Sequence, residues 1–226
     1  MVNVVEKIDD LVKVKTVLIS VSDKSGLEAL VPGLVRACGG VKILSTGGTY
    51  SRIAEILGKD AKKRLMQVSD YTGQPETQGG LVKTLDFKIY LGLLTETYNR
   101  SHKSDLKRTG ASPIDVVVVN LYPFKATVAK KGVTVEEARA NIDIGGPCMI
   151  RASAKNYLRV ASVVDPEDYP RIIRELEKNK GKTTLKLRYE LMRKAFKHTA
   201  DYDRAIAAFM GGKNYSAMKK AYMKIV

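Results

Sequence analysis

The amino-acid sequence predicts a doubly wound α/β domain with a mainly parallel sheet and helices on both faces. Four consecutive valines at 116–119 form an apolar run without alternation, which is typical of a strand buried on both faces inside a parallel sheet. Short apolar runs also alternate along the chain with segments of helical periodicity, as in repeated strand–helix units. Ligands bind such sheets at the carboxyl ends of the strands, so we expect the functional site there.

Composition narrows the functional classes. The chain has 226 residues, of which 44% are hydrophobic and 28% charged, as expected for a globular domain with a sizeable core. Two cysteines and two histidines are too few for a disulfide framework or a structural metal centre. The net charge of +15 would attract phosphorylated molecules. The basic residues are dispersed and accompany no nucleic-acid-binding motif, so we expect no nucleic-acid partner.

Two further features concern location. The sequence contains no run of 18 apolar residues, which predicts no membrane partner. Acidic residues occupy the positions near the N-terminus where a signal peptide needs an apolar core, so we expect a cytoplasmic protein. The domain itself is predicted at 16–210, between an N-terminal extension at 1–15 and a basic C-terminal tail at 211–226.

In chain order, the first half is predicted to contain an amphipathic helix within 2–12, a strand at 16–20, a helix at 26–37 capped by Ser22 or Ser25, a strand at 41–45, a helix at 49–57, a basic linker at 59–64, a strand at 65–68, a loop at 69–80, a strand at 91–94 and a polar helix or loop at 101–109. The second half is predicted to contain a strand at 115–120, a helix at 134–141, a helix after 145, a strand at 160–164, a helix at 166–179, a long helix at 184–209 and a tail that is either a docked helix or frayed.

Two polar turns follow neighbouring predicted strands. The first is VSDKSG at 21–26 and the second is TGGT at 46–49. Backbone amides in a strand–turn–helix arrangement can bind a phosphate, although neither turn is a Walker A sequence or a complete dinucleotide fingerprint. The plainer alternative for Ser22 is helix capping.

A third stretch, DIGGPCMIRASAKN at 143–156, combines an acid, two glycines and a helix with Pro147 in its first turn. Gly145 and Gly146 would expose amides at the helix N-terminus, and Arg151 and Lys155 share a helical face. The alternative is a core helix with a glycine turn and two solvated cations.

Taken together, seven motifs resemble the inosine monophosphate (IMP) cyclohydrolase family, which forms the N-terminal half of the bifunctional purine biosynthesis protein. They are SVSDKSG at 20–26, STGGT at 45–49, GGLVKTL at 79–85, NLYPF at 120–124, IDIGG at 142–146, RASAKN at 151–156 and KAFKHTADYD at 194–203. The resemblance covers about 16–209 and implies a methylglyoxal-synthase-like fold, in agreement with the prediction above. It also implies a homodimer, no cofactor and no metal. The transformylase half is not in this sequence, so either a separate formylating enzyme acts in the pathway or the sequence is a piece of a longer protein.

The implied reaction closes the purine ring of 5-formamidoimidazole-4-carboxamide ribonucleotide with loss of water. The resemblance implies chemical roles for Lys83, Tyr122, Asp143 and Lys155. It implies phosphate contacts by Ser22, Asp23, Lys24, Thr46, Gly47, Gly48 and Thr49. It implies contacts near the base by Leu81, Val82, Thr84, Val119, Asn120, Ile144 and Gly145.

The sequence departs from the family at several positions near Lys83. Relatives commonly have histidine and proline where this chain has Asp86 and Phe87, a histidine where it has Tyr90, and a basic residue where it has Leu81. Three other functions remain as alternatives: methylglyoxal synthase, a nucleotide-binding effector domain like that of carbamoyl phosphate synthetase, and a basic nucleic-acid-binding module.

Overall fold

The computed structural model describes residues 4–75, 77 and 82–222, and a five-stranded parallel sheet forms its centre. The strands lie in the order β4 (Leu65–Gln67), β3 (Lys42–Ser45), β2 (Thr16–Val21), β5 (Val116–Asn120) and β6 (Ala161–Val163). The four valines of β5 are buried between β2 and β6. The predicted fold class is therefore confirmed.

Helices cover both faces of the sheet. They are α1 (Leu27–Cys38), α2 (Gly47–Leu57), α3 (Ala61–Arg64), α4 (Val68–Thr72), α5 (Phe87–Leu94), α6 (Arg100–Thr109), α7 (Phe124–Val128), α8 (Val135–Ala140), α9 (Gly145–Lys155), α10 (Tyr169–Lys178), α11 (Leu185–Gly211) and α12 (Tyr215–Lys220). Val17 and Ile19 of β2 pack into the core beneath α1 and α10. Leu18, which lies between them, packs on the opposite face with Ile89 of α5 and Ile150 of α9. Within the described residues, no helix is long and apolar enough to cross a membrane.

The strand order reverses direction once. From β2 the chain proceeds outward to β3 and β4, and it then returns to place β5 on the other side of β2, with β6 beyond it. The two halves therefore diverge between β2 and β5. In an open α/β sheet, this switch point leaves a crevice at the carboxyl ends of the two strands.

The helix predicted within 2–12 is wrong for the residues that the structure describes there. Leu11–Lys13 forms a short strand, β1, which pairs antiparallel with β7 (Lys182–Thr184), a strand that the sequence analysis missed. The buried guanidinium of Arg188 donates hydrogen bonds to the carbonyl oxygens of Asp9 and Asp10. These long-range bonds satisfy an extended backbone, which overrides the local helical spacing.

Three other predictions in the first half also differ from the structure. The apolar run at 91–94 belongs to α5 and is not a strand; the carboxylate of Asp86 caps this helix by accepting from the Lys88 amide at 2.7 Å. The basic linker at 59–64 is a 3-10 turn followed by α3. The loop predicted at 69–80 instead begins with α4, while 76 and 78–80 lie outside the described residues.

The N-terminus of α1 has a different cap from the one predicted. Neither Ser22 nor Ser25 caps it, because the N-cap residue is Gly26 and no side chain bonds to the helix there. Gly26 has a φ of 76°, and a Cβ at this position would lie 3.0 Å from Cδ2 of Tyr169. A left-handed turn under a buried ring requires glycine.

Elsewhere, Thr134 and Glu137 form the capping box predicted at the start of α8. The short helix α7 was missed. In the C-terminal tail the docked-helix alternative is correct over α12, and Tyr222, just beyond it, bonds through its hydroxyl to Glu136 of α8 at 2.5 Å.

Candidate active site

A pocket of about 480 Å³ opens at the switch point. It lies over the carboxyl ends of β2, β3 and β5 and between the N-termini of α2 and α9. The residues that were expected to bind or react with a nucleotide and that line this pocket are Ser22, Lys24, Thr46, Gly47, Gly48, Thr49, Lys83, Thr84, Val119, Asn120, Tyr122, Asp143, Ile144 and Gly145. The structure thus brings together segments that are up to 123 positions apart, from Ser22 to Gly145.

One end of the pocket is suited to an anion. Gly47 and Gly48 are the first residues of α2, so their amides have no acceptor within the helix. The ammonium of Lys24 lies beside them, since a Cβ on Gly48 would be only 3.8 Å from Lys24 Nζ. The hydroxyl of Thr46 is fixed by a 2.7 Å hydrogen bond to that of Ser20. A helix N-terminus with an adjacent cation favours a phosphate group.

Two of the predicted binding residues also hold the walls of this end in place. The side-chain oxygen of Asn120 accepts from the amides of Ser22 and Asp23 at 2.7 and 2.9 Å, and its NH₂ donates to the carbonyl of Asp23 at 2.8 Å. The hydroxyl of Thr49 accepts from the Val21 amide at 3.1 Å and donates to the Val21 carbonyl at 3.0 Å. These side chains join β5 and α2 to the turn after β2, so they shape the anion-binding end.

At the other end, Asp143 meets the N-terminus of α9. Its Oδ1 accepts from the Gly146 amide at 2.8 Å, and the Tyr122 amide also donates to this carboxylate. Burial raises the pKa of Asp143, and the two amide hydrogen bonds oppose that rise. The buried carboxylate therefore holds a proton more readily than an ordinary aspartate.

The two glycines of this segment are required by close packing. A Cβ on Gly145 would lie 2.5 Å from the Thr84 hydroxyl oxygen. A Cβ on Gly146 would lie 2.6 Å from Oδ2 of Asp143 and 2.6 Å from Cδ2 of Leu121. Any larger residue would move the side chains that form this end of the pocket.

Tyr122 and Ile144 flank the same end, and both remain more than half exposed at 55% and 58%. Their rings and methyl groups are available to an entering molecule. Lys83 lines the pocket as well. The pocket therefore has a cationic end suited to an anion and an end that carries an ammonium, a phenol and a partly buried carboxylate.

Of the four remaining predicted residues, the structure describes three, and none of these three lines the pocket. Asp23 lines a neighbouring cavity, and its carboxylate accepts from the amide and the hydroxyl of Ser25 at 2.9 and 2.5 Å. These two bonds lower the pKa of Asp23. Val82 is exposed and does not line the pocket, and Leu81 lies outside the described residues.

The fourth is Lys155, which is exposed at the last residue of α9. The pocket contacts the first residues of this helix, and α9 has 11 residues. At 1.5 Å per residue, Lys155 lies about 15 Å along the helix axis from Gly145. Met149, the last residue of α9 that lines the pocket, precedes Lys155 by about 9 Å along the axis, and Lys155 itself does not line the pocket.

The sequence analysis missed some of the lining. These residues are Ser20, Val21, Ala140, Ile142, Gly146 and Met149. Gly146 and Ile142 belong to the IDIGG motif, and Met149 follows Gly145 by one helical turn, so spacing alone could have indicated these three. Ala140 carries no such signal.

The histidines lie away from the pocket. His102 is on α6, where its ring accepts from the Glu96 amide at 3.1 Å. His198 is on α11 and lines the neighbouring cavity together with Asp165 and Lys194. Among the described residues, no group of three or more His, Cys, Asp or Glu side chains is arranged to hold a metal ion.

Comparison with known proteins identifies the fold family. The MGS-like domain family matches residues 27–148, more than half of the chain. The chain belongs to the MGS-like family. The family described as AICARFT/IMPCHase bienzyme matches 153–225, so the resemblance to the IMP cyclohydrolase part of bifunctional purine biosynthesis proteins is confirmed. This MGS-like chain has a structural neighbour in the crystal structure of ForH, with 30% identity, a TM-score of 0.70 and coverage of 86% of this chain and 97% of ForH.

Curated relatives of this MGS-like chain are longer proteins. The bifunctional purine biosynthesis protein PurH of Magnetococcus marinus is 48% identical over 200 residues, which is 88% of this chain and 36% of the relative. PurH of a Thermoanaerobacter species is also 48% identical, over 88% of this chain and 38% of the relative. The chain therefore spans somewhat more than a third of the length of these relatives.

Proposed function

We propose that this protein is an IMP cyclohydrolase, which closes the purine ring of 5-formamidoimidazole-4-carboxamide ribonucleotide to give inosine monophosphate and water. The observation that carries this proposal is one pocket with two different ends. Lys24 and the first turn of α2 suit the ribonucleotide phosphate. Lys83, Tyr122 and Asp143 provide groups for proton transfer and charge stabilisation at the other end.

The reaction requires a carboxamide nitrogen, which is a weak nucleophile, to attack the carbon of a formyl group on the same molecule. Anchoring the phosphate and enclosing the base would hold these two groups in the reactive orientation, and such positioning can supply several kcal/mol. Asp143 would orient the carboxamide and accept its proton. Because burial raises the pKa of this carboxylate, its basicity is better suited to proton transfer near neutral pH.

Negative charge develops on the formyl oxygen as the ring closes. Lys83 and Tyr122 would stabilise this oxyanion, an effect that is typically worth about a hundredfold or more in rate. Loss of the hydroxyl then completes the aromatic ring and requires a proton. Lysine and tyrosine side chains can both donate one.

Lys155, predicted to deliver that proton, does not line the pocket of its own chain and is exposed, so a second copy of the chain could present it. We therefore propose a homodimer in which Lys155 acts across the interface. The test combines Lys83→Ala and Lys155→Ala chains, each inactive alone. If Lys155 acts in trans, random mixing gives half heterodimers with one intact site each and restores about a quarter of wild-type activity. No recovery would mean that Lys155 acts within its own chain or has no role.

The central experiment mixes the purified protein with the formylated ribonucleotide and follows inosine monophosphate by absorbance. The proposal is supported if the wild-type protein forms inosine monophosphate and the Asp143→Asn variant loses this turnover but still binds inosine monophosphate. The alternative is a non-catalytic nucleotide-binding regulatory domain. It is favoured by Asp86, whose carboxylate bonds to Gln74 and caps α5 where relatives have a histidine. Binding of the nucleotide without turnover would establish that alternative.

The proposal also covers the surroundings of the enzyme. The curated relatives are named as bifunctional, and the chain spans 36% of the first of them. The proposed substrate carries a formyl group, so a formylating activity would have to supply it, and we place both activities in the cytoplasm. Purine production from the unformylated precursor by this protein alone would contradict that requirement.

A further inference from the structure

The KAFKHTADYD segment at 194–203 lies on α11 and contributes no residue to the nucleotide pocket. Its tyrosine, Tyr202, nevertheless contacts a loop that does. The Tyr202 hydroxyl accepts a hydrogen bond from the backbone amide of Asp143 at 2.8 Å and donates one to the carbonyl of Asn141 at 3.3 Å. The same hydroxyl therefore bonds to both sides of residue 142.

The Tyr202 ring is itself held in place. Only 9% of Tyr202 is exposed. Its ring packs edge-on against Phe124 with centroids 6.1 Å apart, and Phe124 packs in the same way against Phe209 of α11. The hydroxyl thus projects from a rigid aromatic cluster toward the 141–144 loop, which joins α8 to α9.

Asp143 is consequently held through its backbone and through its carboxylate, which also accepts from the Tyr122 amide. Tyr202 binds its backbone amide, and the Gly146 amide binds its carboxylate at 2.8 Å. The loop around Asp143 lies between two helices and Ile144 beside it is largely exposed, so loss of the Tyr202 bond would favour a rotation of the Asp143 backbone. A rotation there would carry the carboxylate away from the Gly146 amide and out of line with Tyr122.

We propose that Tyr202 is a positioning residue that fixes the Asp143 carboxylate in the pocket through the 141–144 loop. The role in catalysis rests on the proposed function, whereas the role in fixing Asp143 does not. Tyrosine is required because phenylalanine would keep the aromatic packing but provide neither the acceptor for the Asp143 amide nor the donor for Asn141.

The test compares Tyr202→Phe with Tyr71→Phe. Tyr71 provides a matched control, since its hydroxyl also accepts from a backbone amide, that of Ser112 at 2.7 Å, and Tyr71 does not line the pocket. Three quantities are measured in each variant and in the wild type. They are amide hydrogen exchange at Asp143 and Gly146 by NMR, the dissociation constant of inosine monophosphate, and kcat with KM for the formylated ribonucleotide.

In Tyr202→Phe we expect exchange at Asp143 and Gly146 to accelerate about tenfold or more, because the bond to the hydroxyl is lost. We expect kcat to fall about tenfold while KM and the dissociation constant change less than about twofold, since the anion-binding end is untouched. The Tyr71→Phe protein should match the wild type in all three quantities.

Unchanged exchange at Gly146 in Tyr202→Phe would overturn the proposal, whether or not the protein turns over substrate. Faster exchange with unchanged kcat would show that Tyr202 fixes Asp143 without any effect on catalysis, and would overturn the catalytic part of the proposal. A wild-type protein that binds inosine monophosphate without turnover would instead refute the proposed function, and the exchange rates would still decide whether Tyr202 fixes Asp143.

Discussion

Replacing Gly146 with alanine would drive a methyl group into the chemical end of the pocket. The new Cβ would lie 2.6 Å from Oδ2 of Asp143 and 2.6 Å from Cδ2 of Leu121, whereas ordinary contacts begin at 3.4 Å. Each of these two distances would therefore be about 0.8 Å shorter than an ordinary contact. Because Leu121 is buried in the core, we expect the carboxylate to move, and its hydrogen bond from the Gly146 amide to break.

Two effects of this change have different magnitudes. Overpacking costs about 1–3 kcal/mol of stability, while alanine gains up to about 1 kcal/mol over glycine in a helix, so the net loss lies between about 0 and 3 kcal/mol. The effect on catalysis is larger, since a misplacement of about 1 Å at a reacting group can cost about a hundredfold in rate. Turnover should therefore fall about a hundredfold in a protein that remains folded.

The assay measures kcat for the formylated ribonucleotide together with urea unfolding. Gly211→Ala is the matched control, because a Cβ on Gly211 meets nothing within 4 Å and this residue ends α11, outside the pocket. It should retain wild-type turnover. A Gly146→Ala protein with turnover within twofold of the wild type would refute the reasoning that the carboxylate must stay against the bare helix N-terminus.

Burial raises the pKa of the Cys38 thiol to about 11, whereas Cys148 is exposed. A thiol reagent at pH 8 should therefore modify only Cys148 in the native protein and both cysteines after denaturation. Rapid modification of both cysteines in the native protein would contradict this. Burial lowers the pKa of His198, which favours the neutral form in the native state. The stability that depends on this neutral form is present above the ordinary histidine pKa of about 6.5. It is lost as the pH falls through the lowered native pKa. His198→Gln should accordingly lose less stability than the wild type between pH 7 and pH 5 in urea titrations, and equal losses would exclude His198 as the cause. Arg188→Met should lower the free energy of unfolding by about 3 kcal/mol, because it leaves buried carbonyl groups without donors. A loss below about 1 kcal/mol would show that water replaces the guanidinium as the donor to these carbonyl groups.

The sequence predicted those parts of the fold and site that local chemistry determines. The valine run gave the central strand, because only a doubly buried strand suits four valines in a row. The Thr46–Gly47–Gly48 turn predicted the start of α2, since bare amides at a helix N-terminus follow from the local chain.

Other parts depend on contacts between distant segments. The apolar run at 91–94 fits either a strand or a helix, and the Asp86 cap determines the outcome. Helical spacing places Lys155 on a face of α9 but does not say which end of the helix meets the pocket. The bonds of Thr49 to the Val21 backbone exist only after α2 has packed against β2.

The pairing of β1 with β7 also constrains the order in which the protein assembles. Arg188 and Asp10, which are bonded across this junction, are 178 positions apart in the chain. Closing so long a loop in an unfolded chain costs about 5 kcal/mol in entropy, but a preformed sheet of β2 to β6 brings the two segments together in advance. During synthesis β1 leaves the ribosome first yet has no partner until β7 follows. Of the described strands, the earliest to be made is thus expected to be among the last to pair, after the crevice at the switch point has formed.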